Sequence, residues 1–93
     1  MIVGLLSVAL HLPDARSLKD KRMVLRSVKD RLKKLNVAVS EVEHQDLWQR
    51  AELGVVTVAA SADAVDRLLA QAADEIERAA PGVFVTCQVE FLT

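Results

Sequence analysis

"VAVSEVEHQDLWQRAELGVVTVAAS", residues 37–61, decides the fold. Its two ends are rich in valine and its middle is polar, so it reads as two strands, 37–43 and 53–61, joined by residues 44–52. The first strand alternates only in part and slips near Ser40, as a bulge would make it. The second is apolar on both faces, which suits a strand flanked by neighbours on both sides. Between them stand the only tryptophan, Trp48, and one of two histidines, His44.

A helix, then a strand, lies on each side of this pair. On the N-terminal side Ser17 precedes Leu18 and stands three residues before Asp20, an approximate capping box with Asp in place of Glu. Leu18, Leu25, Val28, Leu32 and Leu35 recur at helical spacing, which predicts a helix over 18–35 with Asn36 as its stop. "MIVGLLSVALHL" (1–12) is again apolar on both faces and reads as a central strand, with Gly4 as a gap and Pro13 and Asp14 as its end. On the C-terminal side Ser61 or Asp63 caps a helix over 62–79, whose core face is Val65, Leu68, Leu69, Ala72 and Ile76. Pro81 and Gly82 end it. "VFVTCQVEFL" (83–92) alternates, with Val83, Val85, Cys87, Val89 and Phe91 inward and Phe84, Thr86, Gln88, Glu90 and Leu92 outward.

The order β-α-β-β-α-β with right-handed crossovers predicts a single ferredoxin-like α+β domain over 1–93: a four-stranded antiparallel sheet with two helices on one face. The other sheet face is bare, and Val3, Leu5, Phe84 and Leu92 are expected on it. A homodimer through that face is one expectation; a monomer with scattered exposed apolar residues is the other.

Ninety-three residues, 52% hydrophobic and 27% charged, make a globular composition with a modest core. Cys87 is the one cysteine, so no internal disulfide forms, and a reducing cytoplasm is the expected location. Cys87, His11 and His44 lack paired ligand spacing, so neither a metal nor a cofactor is expected. The apolar first twelve residues are too few to cross a bilayer and lack a basic leader, so no membrane role is expected either.

The net charge of −1 hides an asymmetry. Residues 14–34 carry nine of the twelve Lys and Arg and three of the thirteen acids, a net of +6. Lys19, Arg22, Arg26, Lys29 and Lys33 fall on one flank of the first helix, a row of about 21 Å at 1.5 Å per residue. Such a row suits phosphates along an RNA backbone or a ribosomal subunit; the alternative is a solvated helix face. Lys21 is grouped with these bases as a nucleic-acid contact, although it falls toward the apolar side, positioned to snorkel toward the loops at one end.

Topology brings the 13–17 and 44–52 loops and Pro81–Gly82 to that end. It gathers His11, Asp14, Arg16, Ser17, Lys19, Lys21 and Arg22 near His44, Gln45, Asp46, Trp48, Gln49 and Arg50. Trp48 has two readings there. It covers the top of the core with its indole N–H bonded to a loop carbonyl, while Asp46 pairs with a nearby base or caps a turn. Or it stacks on a base or ligand, with Gln45, Gln49 and Arg50 as polar contacts. RNA reading on the sheet itself is disfavoured, because the central strands hold no aromatic residue.

"SLKDKR" (17–22) and "NVAVSEVEHQDLWQRAELGV" (36–55), set in the β-α-β-β-α-β frame, resemble the YlxP-like family of small bacterial domains. The resemblance implies a ferredoxin-like fold. It also implies genes lying near those for translation initiation, ribosome maturation and tRNA modification, hence a role around ribosomes or RNA. The family offers no accepted catalytic residues. The positions it marks are Ser17, Lys19, Lys21, Arg22, His44, Gln45, Asp46, Trp48, Gln49 and Arg50.

An enzyme would need His11 or His44 as general base, Asp46 to orient it and Arg16 or Arg22 to clamp an anion. No P-loop, glycine-rich phosphate loop or nucleophile motif accompanies these residues, so a binding role is expected rather than catalysis.

Overall fold

The computed structural model describes residues 1–81 and 84–92, with the backbone alone at 84–86. The elements run β1 (Ile2–His11), α1 (Leu18–Leu32), β2 (Ala38–Glu43), β3 (Arg50–Ala59), α2 (Ala62–Ala79) and β4 (Phe84–Phe91). The strands pair antiparallel in the order β2-β3-β1-β4. This is the expected ferredoxin-like sheet, with the two doubly apolar strands at its centre.

Local chemistry sets the helix starts. Ser17 Oγ accepts from the Asp20 N–H at 3.1 Å, and Asp20 Oδ2 accepts from the Arg16 N–H at 3.0 Å. The box closes one residue earlier than the usual form, which returns to the cap residue itself. Ser61, not Asp63, caps α2, accepting from the Ala64 N–H at 3.2 Å.

Some expectations need correction. Helix α1 ends at Leu32; Lys33 to Asn36 form turns, so Leu35 packs on the core from outside the helix. The bulge in β2 is at Val42, between Glu41 and Glu43, rather than at Ser40. Strand β3 begins at Arg50, three residues early, because β1 offers a continuous ladder out to His11 opposite Arg50. In β4, Cys87 and Val89 align with Val8 and Leu6 on the helix side, yet both are exposed, since an edge strand lies beyond the cover of the helices. Val83, and the side chains of Phe84, Val85 and Thr86, lie outside the described residues.

The core lies between sheet and helices: Leu6, Val8 and Leu10 with Leu53 and Val55 below, and Leu25, Val28, Leu32, Val65, Leu69 and Ile76 above. Arg31 fastens the helices to each other, its guanidinium 3.1 Å from Glu75, which Arg78 also reaches at 3.0 Å. The hydrogen bond from Arg31, reinforced by the charges of both arginines, holds the Glu75 carboxyl below its ordinary value of 4.5. This contact therefore acts above pH about 4.5 and fades as acid carries the pH down through the lowered value.

Helix α2 presses hardest on the sheet at Gly4. A Cβ there would collide with Val65 Cγ1 and lie 3.1 Å from Leu69 Cδ1. Valine is stiff about χ1, so neither side gives easily. Gly4→Ala is expected to cost about 1–3 kcal/mol in chemical denaturation, the range for overpacking. Gly54→Ala faces Val42 at 3.4 Å on the open side of the sheet and should change stability by less than about 0.5 kcal/mol.

Candidate functional site

Lys21 is the only charged side chain fully buried among the described residues, at 1% exposure. The pattern of α1 explains it: Lys21 stands four residues before Leu25 and seven before Val28, on the stripe that faces the sheet. Its stem packs as an apolar chain, and its ammonium emerges above β2. There Nζ donates to the carbonyls of His44 at 2.5 Å and Leu47 at 2.7 Å. It also lies 2.7 Å from Glu41 Oε2, an ionic contact in which that oxygen takes no well-aligned hydrogen bond. Two carbonyls thus take hydrogen bonds from the ammonium, and the carboxylate balances its charge.

The acceptors define the hairpin tip between β2 and β3. His44 adopts a left-handed backbone, φ 62°, and the Leu47 N–H closes a turn on the His44 carbonyl at 3.0 Å. Gln45 Nε2 reaches back to the Glu41 carbonyl at 3.4 Å. Gln49 ties the tip to the 13–17 loop, with Nε2 at 3.3 Å from the Pro13 carbonyl and 3.4 Å from that of Ala15. The Leu12 N–H donates to the Gln49 carbonyl at 2.8 Å. The two loops therefore share one end, and Ala79 and Ala80 close it on the α2 side, where an apolar pocket of about 410 Å³ also meets Leu12, Pro13 and Met23.

Each expected site residue now has a place. Ser17 is the cap of α1, and Arg16 is exposed beside it. Lys21 belongs to the interior and is unavailable to phosphate, a correction to its grouping with the basic row. Trp48 does not cover the core. It is 52% exposed, and its indole N–H makes no hydrogen bond among the described residues. Asp46 is exposed and forms no ion pair among the described residues. Arg50 belongs to β3, opposite His11, where the two line a shallow pocket with His44 and Glu52. Arg22 lines a different pocket, with Arg26 and Lys29.

The basic row is continuous. Arg22, Arg26, Lys29 and Lys33 line a groove of about 320 Å³ between α1 and the β2 edge, with Leu25, Asp30 and Glu41. Lys19 extends the row on the exposed first turn. Asp30 is taken by Lys33 at 3.3 Å and Glu41 by Lys21, so both carboxylates are already matched. Arg22, Arg26 and Lys29 make no ion pair among the described residues, and the groove keeps a positive field. Glu41 is a site residue absent from the sequence expectation. Its signal was an acid on the inward phase of β2, two residues after Val39, where an apolar residue belongs. At Cys87, an exposed residue of β4, desolvation of part of the side chain raises the thiol above its ordinary 9.0.

A family model described as "Protein of unknown function (DUF503)" matches residues 3–89. The chain belongs to the DUF503 family. Over 49 residues it is 47% identical to "Uncharacterized protein YlxP" of Bacillus subtilis (strain 168), covering 52% of this chain and 53% of that protein. The chain thus spans about half the length of the curated relative it matches. Among solved structures it resembles two de novo designs. One, with a ferredoxin fold, gives TM-score 0.59 at 16% identity, covering 100% of this chain and 87% of that one. The other, Foldit4, gives 0.56 at 12% identity, covering 99% and 96%. At such identities these designs speak for the fold of this DUF503 member alone. Among the described residues no helix is long and apolar enough to cross a membrane.

Replacing Lys21 by Met keeps the stem and deletes the ammonium. Two carbonyls lose a donor, and partly exposed Glu41 can turn to water, so a cost of about 2–4 kcal/mol is expected. Hydrogen exchange is the sharper readout: amides from 44 to 49 should exchange faster, while those of α2 keep their protection relative to global stability.

Proposed function

We propose that this DUF503 domain is a small accessory protein of the cytoplasm that binds RNA, free or within a ribosomal particle, through the groove between α1 and β2. The observation that carries this reading is the set of cations without acidic partners, Arg22, Arg26 and Lys29, extended by Lys33 and Lys19 along one flank. Isolated surface charges usually find counter-charges on their own helix. Here the nearby acids are consumed by Lys21 and Lys33, and the remaining bases line a concave surface, which focuses the field outward. A phosphodiester backbone is the polyanion whose charges recur along such a row, and binding would release its counterions. No catalytic step enters this reading.

The test is the salt dependence of RNA binding. With four phosphates neutralised on a single strand, log K should fall against log salt with a slope of about −3, at about −0.7 per contact. Replacing Arg22, Arg26 and Lys29 together by Gln should bring that slope to about −1 and weaken binding at low salt. If the triple variant binds RNA and ribosomal subunits as the parent does, the groove is solvated surface.

A second reading concerns the bare sheet face. Val3, Leu5, Val56 and Val58 lie there in a block of paired residues without a charge between them. Strands of 10, 6, 10 and 8 residues give a face of about 500 Å², within reach of the smaller specific interfaces. A second copy of the chain would cover it. Sedimentation should then show a dimer that Leu5→Glu converts to monomer; a parent chain that sediments as a monomer at high concentration removes this reading.

A further inference from the structure

We propose that Trp48 is a base-stacking residue and that the RNA lying in the groove is single-stranded where it passes the hairpin tip. This rests on the RNA reading of the groove and specifies its ligand.

Two observations carry it. The first is presentation. Trp48 is 52% exposed and its neighbour Leu47 44%, on a tip otherwise made of polar residues. Exposed indole surface has a solvation cost, and a mobile loop would fold it back against the protein. This tip is held instead: from below by Lys21 on the carbonyls of His44 and Leu47, and from the side by Gln49 on those of Pro13 and Ala15. A buried lysine is a costly anchor, and what it fixes is the backbone next to Trp48. The platform is pre-organised, so stacking on it loses little further entropy.

The second is position. Glu41 lines the groove, and its carboxylate lies 2.7 Å from the same ammonium that bonds the Leu47 carbonyl at 2.7 Å. The tip therefore begins where the groove ends. A strand whose phosphates follow Lys33, Lys29, Arg26 and Arg22 arrives at the tip that carries Trp48. Stacking needs a base with a free face, which a single strand offers and the interior of an A-form duplex does not. Trp48 and two phenylalanines are the only Phe, Trp or Tyr residues, and α1, β1, β2 and β3 hold none of them.

Trp48 is the only tryptophan, so intrinsic fluorescence reports on this residue alone. Titration with a short unstructured oligouridine should quench it, and an RNA duplex of equal length should leave it nearly unchanged. Trp48→Ala should weaken oligouridine binding about 5- to 150-fold, the range for one lost stack, and leave the salt slope intact. Trp48→Phe should recover most of the loss. Lys21→Met should weaken binding of the single strand as a positioning residue does, with lower Trp48 anisotropy in the free protein.

If Trp48→Ala binds oligouridine as the parent does while the Arg22, Arg26 and Lys29 variant has lost binding, stacking is overturned and the groove reading stands. If the groove variant also binds as the parent does, both fall. Quenching by a protein partner but not by RNA would likewise overturn the proposal and make the tip a protein contact.

Discussion

A lysine ammonium drawn out of water must be given acceptors on every side, and Lys21 finds them in Glu41 and in the carbonyls of His44 and Leu47. The uncompensated burial of such a charge costs several kcal/mol, so these contacts mainly offset desolvation and add little net stability. Their effect is geometric. Helix α1, the upper part of β2 and the hairpin tip come from separate parts of the sequence, and one nitrogen fixes their spacing. The 13–17 loop joins through Gln49, and the whole upper end becomes one body.

Electrostatics follows from the same contact. Because Glu41 is held by Lys21, it is not free to neutralise Arg22, Arg26 or Lys29 beside it. Arg31, on the opposite flank of α1, is consumed in the seam with Glu75. The nine bases of residues 14–34 are thus sorted by the fold into different kinds of work: an interior anchor, an interhelical fastener and a row facing solvent. Net charge could not express this division, and neither could the linear spacing of the bases.

Element types were legible because they rest on local and periodic signals. Helix α2 occupies Ala62–Ala79 as its spacing implied, capped by Ser61. Strands β1 and β3 are apolar on both faces and lie at the centre of the sheet. Boundaries were less legible where partners decide them. The start of β3 at Arg50 depends on how far β1 extends alongside, and the early end of α1 depends on Leu35 and Val37 turning into the core. The bulge at Val42 depends on a register that no single strand encodes. At the site, the gathering of two loops followed from topology, and the snorkelling direction of Lys21 from helical phase.

What the sequence determined alone was the order of elements, the faces they bury, the family frame and the charge imbalance between α1 and the rest, since each is a property of periodicity or composition. What only the tertiary structure decided was the fate of individual polar groups. Lys21 became interior, Glu41 its partner and Trp48 an exposed indole on a fixed tip. The physical reason is that burial and pairing of a charge depend on groups distant in the chain, and those meet only when the layers close.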